Sequence, residues 1–122
     1  MYEIEIERVF NAAHALRLYD GTMEEPHRHD WHTWVVVSAP SLDSMEVVMD
    51  FHELEKIIDG VLKPLDGEDL NEVKLLEGYN PSAERVAECI FQAIAPQLPS
   101  RTQLKSVTVT EAPGCRATYK SV

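Results

Sequence analysis

The sequence lacks the features that mark several large protein classes. No apolar run approaches the roughly 20 residues of a membrane-spanning helix, and no repeat or low-complexity segment occurs. Its two cysteines, Cys89 and Cys115, are not in CxxC spacing, which argues against a disulfide scaffold. The opening residues MYEIEIERVF alternate charged and apolar side chains, unlike a signal or transit peptide. We therefore expect a cytoplasmic protein with one domain, residues 1–122, and no membrane partner.

Basic residues are also scarce. The 122 residues include 11 Lys and Arg against 21 Asp and Glu, a formal net charge of −10, without a basic cluster. A nucleic-acid-binding protein needs a basic surface that neutralises phosphates. Nucleic acid is therefore not an expected partner.

Alternating apolar residues predict a four-stranded antiparallel sheet. The strands are predicted at 2–7 with a continuation towards His14, at 31–40, at 45–50 and at 104–112. The short SLDS turn between the second and third of these predicts a hairpin. The sequence ATYK after the last strand also fits a short strand. Because an open sheet leaves two exposed edges, oligomerisation by sheet extension is expected.

Two amphipathic helices lie between the third and fourth predicted strands. The first begins at Asp50 and ends before Pro64, and the second is predicted to have Asn80 as its cap and Pro81 as its first residue. The predicted order is β-β-β-α-α-β. This order defines an α+β domain with two helices packed on one face of the sheet.

Three of the five histidines lie close together in the sequence. His27 and His29 share strand parity and can present both rings to one point, whereas His32 has the opposite parity. A third ligand would come from His14, at the end of the first strand, or from His52. Three neutral imidazoles with one open position form a catalytic type of zinc site. Such a zinc ion polarises a substrate oxygen or a bound water.

Five motifs, in the same order, resemble those of the 6-pyruvoyl-tetrahydropterin synthase family, which includes the 6-carboxy-tetrahydropterin synthases. FNAAHAL resembles F-x-A-A-H-x-L, HRHDWHTWVVV resembles HGHNYxVxV, and VVMDFHELEKIIDGVLKPLDGEDLNE resembles VMDF…L…PLDHxxLN; NPSAERVA resembles NPTAENxA, and VTVTEAP resembles the strand that ends in E-T-P. The resemblance covers nearly the whole chain. It implies the tunnelling fold (T-fold), a pterin-like substrate, and subunits joined edge to edge into a hexamer of two trimers.

The resemblance also implies roles for individual residues. It makes His14, His27 and His29 the zinc ligands. It makes Glu111 the pterin anchor, since one carboxylate accepts two charge-assisted hydrogen bonds from adjacent N–H groups of the ring. Ser82 stands where the family has Thr or Ser near the pterin, although capping its own helix explains this serine equally well.

The chain departs from the family at its proton-transfer groups. Met23 replaces the catalytic Cys, and Gly67 replaces the His of LDHxxLN, while Asp66 is retained. Neither methionine nor glycine transfers a proton. Glu24 and Glu25, in the loop before the HxH pair, are candidate replacement bases.

Two further residues near these motifs are notable. Cys115, four residues after Glu111, is another candidate nucleophile, and Arg28 replaces the glycine of HGH. The loop around the histidine pair is largely acidic. The usual substrate of the family that the chain resembles is dihydroneopterin triphosphate, which carries a large negative charge. The acidic loop favours a substrate with fewer phosphates.

Three functions are consistent with these residues. The first is a zinc-dependent pterin lyase, or an aldolase-like enzyme, with altered acid–base residues. The second is a pterin-binding homologue that has lost the synthase chemistry. The third is a protein that retains only the oligomeric scaffold.

Overall fold

A computed structural model describes residues 1–122 of the chain. Its elements, in order, are β1 (Tyr2–His14), β2 (His27–Ala39), α1 (Phe51–Leu62), α2 (Ala83–Ile94), β3 (Gln103–Ala112) and β4 (Cys115–Lys120), with single 3₁₀ turns at Lys74–Leu76 and Ala95–Gln97. The four strands form one antiparallel sheet in the order β1-β2-β3-β4. The structure thus confirms the α+β class, the four-stranded antiparallel sheet and the two helices. Neither helix is long and apolar enough to cross a membrane.

The hairpin of β1 and β2 positions the histidines. Its register runs without interruption from Tyr2 opposite Ala39 to His14 opposite His27. Because side chains alternate between the two faces of a strand, His14 lies on the same face as the buried Phe10. The continuation of the first strand towards His14 was predicted correctly, and the second strand begins four residues earlier than predicted.

The predicted third strand is wrong, and so is the hairpin predicted between it and the second strand. Residues 45–50 form turns and bends between β2 and α1, and the fourth strand of the sheet is instead β4. The backbone of this connection is held by side chains, because the Asp43 carboxylate accepts from the N–H groups of Met45 and Val47 at 2.8 and 3.2 Å. The guanidinium of Arg101 donates to carbonyls of the same segment. Val48 and Met49 are buried without joining a ladder, whereas Met45 is exposed, so the order is β-β-α-α-β-β.

The helix starts are set by two different caps. The Asp50 carboxylate accepts from the N–H of His52 at 2.9 Å, which confirms the predicted start of α1. The predicted cap of α2 is wrong, because Ser82 caps that helix by accepting from the N–H of Arg85 at 3.1 Å. Asn80 lies before the helix and makes a different set of hydrogen bonds, described below.

One hydrophobic core lies between the helices and one face of the sheet. It contains 24 buried residues from both helices, from the first three strands and from the segments that connect these elements. Phe10 and Trp31, with stacked rings whose centroids lie 5.8 Å apart, are among its largest fully buried side chains. Burial of a large apolar side chain contributes about 1.5–3 kcal/mol. The core therefore gives a rigid base to the histidines that lie beside Trp31.

Candidate metal centre

Four side chains converge at one end of the sheet. They are His14 at the end of β1, His27 and His29 at the start of β2, and Glu111 near the end of β3. One possible ligand atom from each lies within 4.8 Å of the others. Strand pairing brings His14 opposite His27, and strand alternation adds His29 on the same face. The structure therefore brings together the three histidines that the sequence predicted as ligands.

The distances within this group are short. The Nε2 atoms of His14 and His27 lie 2.9 Å apart. Glu111 Oε2 lies 3.3 Å from His14 Nε2, 3.5 Å from His27 Nε2 and 3.3 Å from His29 Nε2. One carboxylate oxygen is therefore close to all three imidazoles.

Backbone carbonyls set the tautomers of two of the rings. His14 Nδ1 lies 2.8 Å from the carbonyl oxygen of Pro81, and His29 Nδ1 lies 2.9 Å from that of Asp30. A carbonyl only accepts, so each Nδ1 carries the hydrogen, and each neutral ring has its lone pair on Nε2. Metal-binding histidines in proteins are commonly held in this way.

Two lone pairs thus point towards the same carboxylate oxygen. His29 Nε2 is buried and has no hydrogen-bond partner, because an unprotonated nitrogen and the Glu111 carboxylate are both acceptors. A buried polar atom without a partner costs about 1–3 kcal/mol. A cation between these acceptors would satisfy them all, and nitrogen ligands with one oxygen suit Zn²⁺. The residues present therefore fit a zinc ion.

The other two histidines are not part of this group. His52, the second option for a third ligand, is exposed on α1 with its Nδ1 3.3 Å from a Glu55 oxygen. His32 is exposed on the opposite face of the sheet, where it stacks on Trp34 with ring centroids 6.2 Å apart. The parity argument for excluding His32 is consistent with this position.

The loop carboxylates lie outside the metal-binding group. Glu24 is half-buried, and its Oε1 accepts from the N–H of Leu16 at 2.9 Å, two residues after His14. Its own N–H donates to the carbonyl of Leu16 at 2.9 Å, so the side chain and the backbone of Glu24 both bond to Leu16. Glu25 is exposed, and its side chain makes no hydrogen bond within the chain.

The remaining predicted residues occupy separate positions. The Asp66 carboxylate accepts from the N–H of Asn11 at 2.9 Å, on the outer edge of β1. Ser82 follows Pro81, and its hydroxyl caps α2. Cys115 is exposed at the start of β4, whereas Cys89 is buried, which raises the pKa of its thiol.

A recess adjoins the group on the side of Glu111. Pairing of β2 with β3 stops at Thr33 opposite Val109, so the two strands separate beyond this point. The recess between them has a volume of about 360 Å³. Its lining residues are His29, Asp30, His32, Thr110, Glu111, Ala112 and Pro113. This volume lies within the usual range for small-molecule sites.

Two supporting groups were not predicted from the sequence. The Trp31 ring is fully buried, with its centroid 4.3 Å from that of His29 and 4.8 Å from that of His14. The Pro81 carbonyl orients His14 from a distant part of the chain. The inward parity of an aromatic residue after HxH was a usable signal for Trp31, but no sequence pattern indicated Pro81.

The family model for 6-pyruvoyl tetrahydropterin synthase matches residues 3–121. The chain therefore belongs to the 6-pyruvoyl tetrahydropterin synthase family.

Individual relatives agree with this family. The chain is 37% identical over 102 residues to the dihydroneopterin monophosphate aldolase of Pyrococcus furiosus, covering 84% of this chain and 82% of that protein. It is similar to the 6-pyruvoyl tetrahydropterin synthase structure from Caenorhabditis elegans, with 25% identity, a TM-score of 0.80, and coverage of 100% and 98% of the two chains. The Plasmodium vivax synthase gives a TM-score of 0.80 at 20% identity, covering 98% and 97%. These similarities confirm the T-fold.

Proposed function

We propose that the protein is a zinc-dependent pterin lyase that cleaves the side chain of a dihydroneopterin phosphate by a retro-aldol reaction. The observation that carries this proposal is the convergence of three imidazoles and one carboxylate beside a recess of suitable volume. The similarity to a dihydroneopterin monophosphate aldolase supports both the reaction and a substrate with a single phosphate. The acidic loop around the histidines is also better suited to one phosphate than to three.

His14, His27 and His29 would hold the zinc ion. When bound, zinc supplies a Lewis acid for the hydroxyl oxygens of the substrate side chain. Glu111, which faces the three histidines when no pterin is present, would anchor the pterin when substrate binds, because its partly exposed carboxylate also lines the recess. Its two oxygens would accept from the amino group and the neighbouring ring N–H.

The reaction needs one base and one proton donor. The base removes the proton of the side-chain hydroxyl at C2′, the C1′–C2′ bond breaks, and C2′ becomes an aldehyde. The electron pair passes from C1′ into the conjugated C6=N5 bond, and a proton returned to C1′ completes the 6-hydroxymethyl product. No external oxidant or reductant is required.

Glu24 is the base in this proposal. Its position is supported by the bond from Leu16 to one carboxylate oxygen, which leaves the second oxygen available two residues beyond the ligand His14. Glu25 and Asp66 are the other predicted acid–base residues, and they are tested alongside it. A positioned general base typically contributes about 10²–10⁴-fold to the rate.

The active protein would be a cytoplasmic homo-oligomer, a hexamer of two trimers joined through sheet edges. Support comes from the two edges of the sheet, β1 and β4. On the face away from the helices, β1 carries Glu3, Glu5 and Glu7, whereas β4 carries Arg116 and Lys120. Opposite charges on the two edges favour pairing of β1 in one copy with β4 in the next.

The test is turnover by the zinc-loaded protein. We expect dihydroneopterin monophosphate to yield a 6-hydroxymethyl dihydropterin and an aldehyde phosphate, faster than dihydroneopterin or its triphosphate reacts, as followed by chromatography and mass spectrometry. Glu24→Gln should lower kcat by about 100-fold or more. The exposed Glu72 lies outside the site, and Glu72→Gln is the matched control, with kcat unchanged.

Other outcomes would contradict parts of this proposal. If the zinc-loaded protein bound a pterin but formed no product, it would be a pterin-binding protein and not a lyase. Loss of activity in Glu25→Gln or Asp66→Asn but not in Glu24→Gln would assign the base elsewhere. Full activity in a monomer would show that the reaction does not need the proposed oligomer.

A further inference from the structure

The outer edge of β1 is hydrogen-bonded to another segment of the chain only near the metal centre. The N–H of Asn11 donates to Asp66, and its carbonyl accepts from the N–H of Gly67 at 2.6 Å. The N–H of Ala13 donates to the carbonyl of Glu68 at 2.9 Å, and its carbonyl accepts from Leu70 at 2.8 Å. This covering resembles a further strand that supports β1 as far as the residue before His14.

Two asparagine side chains continue this pattern beyond the end of the strand. Asn71 Oδ1 accepts from the N–H of Ala15 at 2.8 Å, and Asn71 Nδ2 donates to the carbonyl of Ala15 at 2.8 Å. Asn80 makes the same pair of bonds to Arg17, at 2.8 and 3.0 Å. Each side-chain amide therefore pairs with both backbone groups of one residue, as a neighbouring strand would.

Asn80 is also connected to a predicted zinc ligand through the residue that follows it. Asn80 precedes Pro81, and the Pro81 carbonyl lies 2.8 Å from His14 Nδ1. The segment 80–81 thus contacts residues 14–17 in two places, through the amide of Asn80 and through the ring of His14. If the amide lost Arg17, the carbonyl that sets the tautomer of His14 would lose its anchor.

We propose that Asn71 and Asn80 are positioning residues for the metal centre, which hold the backbone after His14 so that Nε2 of this ring faces the other ligands. This inference rests on the proposed zinc site but not on the proposed reaction. Groups that orient a ligand from outside the coordination shell typically contribute about 10–100-fold to metal affinity. Asn80 has the larger effect, because it supports both the backbone and the Pro81 carbonyl.

The experiment compares metal binding by folded variants without any pterin. Asn71→Ala and Asn80→Ala are titrated with Zn²⁺ in competition with a chromophoric chelator, and their Co²⁺ complexes are examined by visible absorption. We expect about 10-fold weaker binding for Asn71→Ala and about 100-fold for Asn80→Ala. The Co²⁺ bands of Asn80→Ala should also shift or weaken, because the direction of the His14 ligand changes.

The control removes a helix cap far from the metal. Asp50→Ala loses the bond that starts α1 and destabilises the fold, but Asp50 bonds to neither asparagine and to none of the predicted zinc ligands. Its affinity for Zn²⁺ should match that of the wild-type protein. If Asn80→Ala does not fold, Asn80→Asp replaces it, since its carboxylate still accepts from Arg17 but cannot donate to the Arg17 carbonyl.

A second readout needs no metal. In the metal-free protein, ¹H–¹⁵N spectra of the imidazoles should show His14 with its hydrogen fixed on Nδ1, and Asn80→Ala should convert it to a mixture of tautomers. Folded alanine variants with wild-type zinc affinity and an unchanged His14 signal would overturn the inference. Zinc binding without pterin turnover in the wild-type protein would overturn the proposed reaction alone, whereas no binding of either ion would overturn both.

Discussion

His29 has the most informative environment of any side chain in the protein. Its Nδ1 bonds to the Asp30 carbonyl, its ring stacks on Trp31, and its buried Nε2 faces an acceptor rather than a donor. A histidine that served only to fill the core would have a satisfied second nitrogen. The bonding of this ring therefore suits a bound cation better than a packing role alone.

Zinc should therefore stabilise the fold through this histidine. Zinc at 100 times its dissociation constant should add about 2.7 kcal/mol to the free energy of unfolding, and excess chelator should remove this gain. The melting temperature with and without zinc measures the effect. His29→Ala should abolish the zinc-dependent shift, while His52→Ala, on the exposed surface of α1, should keep it. A full shift in His29→Ala would place the ion elsewhere.

The two cysteines should differ sharply in reactivity. Cys115 is exposed, whereas burial of Cys89 raises the pKa of its thiol and disfavours the reactive thiolate. Iodoacetamide at pH 8 should alkylate Cys115 alone in the folded protein, as read by peptide mass spectrometry. Cys115→Ser should then remain unlabelled until denaturant is added. Rapid labelling of Cys89 in the native protein would contradict the position of α2 against the sheet.

At the scale of the secondary-structure elements, Ser82 at the start of α2 has two predicted roles, as a helix cap and as a contact to the substrate. Ser82 Oγ accepts from the N–H of Arg85, so Ser82→Ala should cost about 1 kcal/mol of stability. Urea unfolding measures this loss, and Ser82→Thr should largely restore it. If Ser82 also contacts the pterin, the alanine variant should raise KM as well. An unchanged KM would leave this serine with its capping role alone.

The helices and the first strand were predictable because their signals are local. Apolar stripes and the Asp50 cap are properties of neighbouring residues, and the alternation through β1 sets the parity that places His14 on the inner face. The 45–50 segment shows the limit of such signals. Its alternation fits a strand, but the N–H of Val47 donates to the Asp43 carboxylate and the Val47 carbonyl accepts from the distant Arg101 instead.

The candidate site was predictable only in part for the same reason. The parity of His27 and His29 follows from one strand, the end of the first strand offered His14 with His52 as the other option, and the resemblance to a known family favoured His14. The closeness of Glu111 to all three rings depends on how β3 diverges from β2, which no local pattern encodes. The bond from His14 to the Pro81 carbonyl likewise joins residues that are 67 positions apart.

At the scale of the whole molecule, the open sheet edges β1 and β4 predict assembly into the proposed hexamer. Light scattering should give a mass near six times the 13.8 kDa of one chain. Reversing the charges of Arg116 and Lys120 to Glu should weaken the assembly, since these residues would face the acidic strand of the next copy. Lys74→Glu, on an exposed 3₁₀ turn, is the control and should leave the mass unchanged. A wild-type monomer would contradict the edge-to-edge arrangement.

The stacking of Trp31 on His29 also gives the protein an intrinsic optical probe. Indole emission is quenched by contact with a protonated imidazole and responds to a nearby bound ion. Trp34, the other indole, lies on the opposite face beneath the guanidinium of Arg116, so Trp34→Phe would leave a single emitter beside the predicted zinc ligands. Stopped-flow fluorescence of that variant would follow ion entry and release in real time, without any label or substrate.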